Sequence, residues 1–142
     1  MLASFTFEID GFEALSPSEQ QDVYLDALRA LVNIDVAYLA THRLTPRLYA
    51  SGVRFAISDD ERAGLGNVWP NIPAVLAKGT AHCVGLACWR IAELRVRDGV
   101  DAVPVIREFR EWLQGHEVQE FHVCVGYPDG SVEDPSRELG MP

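Results

Sequence analysis

The stretch GTAHCVGLACWRIAEL, residues 79–94, decides the fold. Gly79 closes whatever precedes it. Ala87, Ile91 and Leu94 then recur at helical spacing, with Cys88 beside the stripe and Gly99 beyond the end. The pattern predicts a helix over residues 83–97 with Cys83 at its mouth. That position carries chemistry. The first N–H groups of a helix are unpaired and its dipole is positive there. Both favour a thiolate, and the same N–H groups can receive the oxyanion of a tetrahedral intermediate. The plainer reading is packing, since cysteine is among the most buried residue types. Cys88, roughly 140° further round the helix, reads as core. The C-x4-C spacing suits neither a dithiol redox pair nor a zinc site.

The surrounding sequence supplies one domain, residues 1–142, with residues 1–44 as an N-terminal support and 45–142 as the core. Residues 4–9, SFTFEI, alternate as a short strand. Ser16, Pro17 and Glu19 form a helix start with a capping box. Leu25, Leu28, Val32, Val36 and Leu39 continue it as a long helix over 17–41. VRFAI (53–57) reads as a strand and SDDER (58–62) as a solvated loop or short turn. Asn71 caps a short helix beginning near Pro73 and ending at Gly79. DAVPVIREF (101–109) reads as a strand, GHEVQ (115–119) as a loop, and FHVCVGY-PDG-SVEDPS as a β-hairpin. The fold class is α+β: a cysteine-bearing helix on a small antiparallel sheet, flanked by a long N-terminal helix.

A formal net charge of −9 argues against binding to nucleic acid through phosphates. No apolar run is long enough for a membrane span. The first residues have no basic segment of a secretion signal, and three cysteines are an odd number for a disulfide framework. A reduced, cytoplasmic chain is the expectation.

A nucleophilic cysteine needs a base and a group that orients it. Of the four histidines, His42 ends a helix and His116 lies in the charged GHEVQ segment. His82 adjoins Cys83 and is badly aimed as a base, though it could add positive potential. His122 sits in the apolar run FHVCV, where a polar ring has little other reason to be. Pro128-Asp129-Gly130 suits a type I turn followed by a left-handed glycine. That turn pairs Tyr127 with Ser131 and sets Cys124 opposite Asp134, so His122 and Asp134 share a face one diagonal step apart. A two-residue turn at Asp129-Gly130 would put them on opposite faces. Asp134 then holds one nitrogen of His122 and leaves the other for Cys83.

These residues resemble the transglutaminase-like branch of the papain-like cysteine hydrolases. In that branch a cysteine starts a helix after a glycine-containing loop, and a histidine and an aspartate follow on neighbouring strands. GTAHCVGLACWRIAELR, FHVCVGYPDG and VEDPS supply the three elements. The span 45–142 also resembles small transglutaminase-like proteins of tailed bacteriophages and prophages. The resemblance implies a papain/transglutaminase-like core with Cys83 as nucleophile, His122 as base and Asp134 as orienting acid. It implies Trp69 as an oxyanion or substrate-site residue; Trp69 also reads as a core aromatic. The residues flanking the cysteine, Ala81-His82 and Val84-Gly85, depart from the acidic setting of such relatives, so His82 joins the substrate-site candidates and the substrate class stays open.

The implied activity is a thiol hydrolase or acyl transferase on amide bonds. Its partners would be a protein, peptide or peptidoglycan-peptide substrate and other phage proteins, in the bacterial cytoplasm or in the virion. The alternative is a non-catalytic structural or assembly protein of a phage particle on the same fold. No cofactor is expected. A metal site built from Cys83, His122 and Asp134 uses plausible zinc ligands but needs more assumptions than the triad.

Overall fold

A computed structural model describes residues 10–57, 68–113 and 116–142. Helix α1 (Pro17–Thr41) begins at Ser16, whose hydroxyl accepts the Glu19 N–H while the Glu19 carboxylate accepts the Ser16 N–H. The capping box is therefore present, and Leu28, Val32 and Leu39 are buried as the spacing requires. Leu25 and Val36 are half-buried against the same core. Asp35 is also buried, which the apolar pattern did not anticipate.

Helix α2 (Ile72–Lys78) is capped by the Asn71 side chain and closed by Gly79 in the left-handed region. Helix α3 (Cys83–Asp98) follows almost at once and ends at Gly99, φ +64°. There the Val100 N–H reaches back to the Leu94 carbonyl and satisfies the last turn. Two short strands, β1 (Arg54–Phe55) and β2 (Thr80–Ala81), pair in parallel beside the mouth of α3. The strand expected over 53–57 is thus reduced to its centre, and β2 was not foreseen.

The main sheet has the order β3-β4-β5 and is antiparallel: β3 (Val103–Leu113), β4 (His116–Gly126) and β5 (Val132–Glu133). Here the loop expected at GHEVQ is overturned. Residues 116–119 belong to β4, because the register that pairs Val103 with Gly126 runs on unbroken to Leu113 and His116. Cross-strand pairing with β3 overrides a polar local composition. The β4–β5 turn is as expected. Tyr127 N–H bonds the Ser131 carbonyl at 2.9 Å, Gly130 N–H bonds the Tyr127 carbonyl at 2.9 Å, and Gly130 has φ +86°. The chain leaves the sheet after Glu133 and enters the single-turn helix α4 (Pro135–Glu138), capped by Asp134. The strand expected at residues 4–9 and the SDDER segment lie outside the described residues.

Helix α3 is the centre of the molecule. Ala87, Cys88, Ile91 and Leu94 pack with Leu28, Leu31 and Val32 of α1 and with Val123 and Val125 of β4. Leu86, Trp89 and Ala92 face the other way, into a second cluster with Leu48, Val53, Ile72, Val75 and Leu139. The apolar stripe read from the sequence is the first of these two faces. A helix buried on two sides needs its polar residues paired. Glu93, wholly buried, accepts the Leu48 N–H at 2.8 Å and an Arg90 guanidinium N–H at 2.7 Å. Arg90 also donates to Glu133 at 2.7 Å, and the hydroxyls of Tyr49 and Tyr127 donate to the same carboxylate. This network ties α3 to β5 one residue before Asp134.

Candidate functional site

The sheet and α3 meet where β5 ends. Beyond Glu133 no strand among the described residues lies beside the edge of β4, since the chain turns away through Pro135. Cys83, the first residue of α3, fills that place. Its sulfur lies within reach of the backbone N–H of Val123, the residue after His122, and of the N–H groups of Val84 and Cys83 itself. Cys83 is partly buried. Burial pushes its thiol above the ordinary value, the Asp134 charge adds to this, and the three N–H groups oppose it. The lowered value expected at a helix mouth is therefore reversed: loss of water outweighs the backbone donors.

His122 is 6% exposed and its Nε2 lies 2.8 Å from Asp134 Oδ2. The hairpin register places them as the turn chemistry implied. Asp134 is fixed in turn by its cap: Oδ1 accepts the N–H groups of Ser136 at 3.1 Å and Arg137 at 3.4 Å. Arg137 Nε stands 3.6 Å from Oδ2. The carboxylate therefore fixes the His122 ring through Nε2.

His82 has a different task. It is the N-cap of α3, with Nδ1 accepting the Val84 N–H at 3.2 Å and Nε2 3.2 Å from the Val68 carbonyl. Trp69 stacks on Tyr24 of α1, centroids 6.0 Å apart, and packs on the same cluster as Cys83. Tyr24 also meets Phe121, the residue before His122, at 5.2 Å. These contacts are those of the core aromatic reading, set close to the site.

His42 caps the end of α1, its Nδ1 2.9 Å from the Tyr38 carbonyl. Cys88 is core, as expected, with no exposure. The residue missed by sequence reasoning is Cys124. It shares a strand face with His122, two residues on, and one ligand atom from each of His122, Cys124 and Asp134 lies within 4.8 Å of the others. The signal was in the register, which sets Cys124 opposite Asp134. Compared with known proteins, the chain matches no protein-family model, no curated protein and no solved structure. Among the described residues no helix is long and apolar enough to cross a membrane.

Proposed function

We propose that the protein is a thiol hydrolase or acyl transferase acting on amide bonds through Cys83, His122 and Asp134, on a papain/transglutaminase-like core. The observation that carries this reading is the 2.8 Å contact between His122 Nε2 and Asp134 Oδ2, one residue along β4 from the N–H that faces the Cys83 sulfur. Burial keeps the Cys83 proton on sulfur in the resting protein. The proton therefore leaves as attack begins: Nδ1 of His122 takes it while sulfur adds to the carbonyl carbon. Asp134 stabilises the imidazolium through Nε2–H. The Cys83 N–H donates to the oxyanion. Collapse of the intermediate breaks the C–N bond, and His122 returns its proton to the leaving amine. Water or a second amine then releases the thioester. Peptide or peptidoglycan amide bonds are the substrate class, in a phage-associated protein of the bacterial cytoplasm or the virion.

A second reading has its own observation. The raised Cys83 thiol also suits an assembly protein of a phage particle that keeps the fold without the reaction. The rate of Cys83 alkylation by iodoacetamide against pH, read by peptide mass spectrometry, separates the two. Reaction at neutral pH that slows in His122→Gln supports the hydrolase. Reaction only at or above the roughly 8.5 of a free thiol, or none in the folded protein, supports the assembly reading.

A further inference from the structure

We propose that His122, Cys124 and Asp134 form a binding site for a zinc ion. The three residues offer one nitrogen, one sulfur and one oxygen, the donor set of borderline-soft Zn²⁺, within 4.8 Å of one another. Ligand lengths of about 2.0 Å to nitrogen and oxygen and 2.3 Å to sulfur set tetrahedral donor separations of roughly 3.3–3.6 Å. Adjustments of up to about 1 Å, opening the 2.8 Å His122–Asp134 contact and closing the wider separations, lie within the freedom of three side-chain torsions and fit the donors to the ion.

The backbone already arranges it. His122 and Cys124 stand two apart on β4 and so on one face, while Val123 and Val125 point the other way into the core. Asp134 comes from the segment directly after β5, and its Oδ1 is held by the Ser136 and Arg137 N–H groups. That hold orients the carboxylate as an outer-sphere partner does for a metal ligand. Cys124 is wholly buried, whereas the Asp134 side chain is 20% exposed, so the ion enters from the Asp134 side. Three protein donors leave a fourth position for water. A consequence rests on the thiol chemistry proposed above, although the site does not: zinc withdraws His122 and Asp134 from Cys83, so metal and reaction exclude each other.

Cobalt is the probe, because a thiolate ligand gives a near-ultraviolet charge-transfer band. Wild-type protein titrated with Co²⁺ should show the band, Cys83→Ser should keep it and Cys124→Ser should lose it. Zn²⁺ affinity, measured by competition with a chromophoric chelator, should fall in His122→Gln by more than the roughly tenfold that loss of an outer-sphere partner costs. No band in the wild type, or a band that Cys83→Ser abolishes and Cys124→Ser keeps, overturns the site. Circular dichroism checks that each variant folds. Should Cys124→Ser unfold, cadmium NMR on the wild type decides: coupling to the Cys124 β-protons supports the site and coupling to those of Cys83 overturns it. None of these readouts depends on whether Cys83 is reactive, so failure of the metal site and failure of the hydrolase reading are told apart.

Discussion

Asp134 uses its two oxygens for two purposes. Oδ1 caps the turn that follows, and Oδ2 faces the His122 ring. Asp134→Asn separates them. The amide oxygen keeps the cap, but its NH2 group then meets Nε2 of His122. A donor there requires Nε2 to be the acceptor and moves the ring proton to Nδ1. On the proposed chemistry that nitrogen can no longer take the thiol proton. Cys83 alkylation at neutral pH should slow about tenfold, the equivalent of about 1.4 kcal/mol, with the urea midpoint little changed. Unchanged alkylation would show that Asp134 serves only as a cap. At this scale the sequence was informative about the pair and silent about its surroundings. The turn residues fixed the register and hence the His122–Asp134 contact. The burial that raises the Cys83 thiol depends on β4 and on where β5 stops, which no local pattern encodes.

The elements meet most tightly at the first turn of α3. Gly85 packs there against three other segments: a Cβ on it would lie 2.9 Å from Pro70 Cγ, 3.2 Å from Ala81 Cβ and 3.3 Å from Val75 Cγ2. In an open helix Gly→Ala gains about 1 kcal/mol. Here the extra methyl meets a ring carbon and two core side chains, and overpacking of this kind costs about 1–3 kcal/mol. Gly85→Ala should therefore lower stability by about 1 kcal/mol net, read from urea denaturation, and a gain in stability would refute the close contact. The helices themselves were legible because their ends are local chemistry. Ser16 with Glu19, Asn71 with Gly79, and Gly99 each satisfy backbone groups within a few residues. The strand at 116–119 was not, since its partner lies on β3. Nor was the parallel β1–β2 pair, two residues a side, too short to show a period. Arg90 and Glu93 looked like ordinary surface charges on a helix. Only the packing of residues 47–55 and of β5 around α3 makes them the anchor that holds β5, and with it Asp134, to the cysteine helix.

Across the whole molecule, a buried carboxyl group couples the long helix to the segment leading into the site. Asp35 has no exposure; its Oδ1 accepts the Ile72 N–H at 2.9 Å, and Oδ2 has no hydrogen-bond partner among the described residues. Burial raises its pKa from 3.8 to about 7, against the lowering by the Ile72 bond. The raised value means that the folded protein binds this proton more tightly than the unfolded chain does. The stabilisation is complete below the unfolded value of 3.8 and is lost as pH rises through about 7. Between those limits the fold should weaken by up to about 1.4 kcal/mol per pH unit from this group. Asp98 and Glu133, held low by Arg47 and Arg90, act in the opposite sense and at more acidic pH. Asp35→Asn keeps an oxygen for the Ile72 N–H and cannot ionise. The difference in urea midpoint between Asp35→Asn and wild type should therefore grow from pH 4.5 to pH 7.5 in favour of the variant. Parallel pH profiles would show that Asp35 does not carry its proton into the neutral range. In that case the link between α1 and α2 is an ionised carboxylate that accepts the Ile72 N–H.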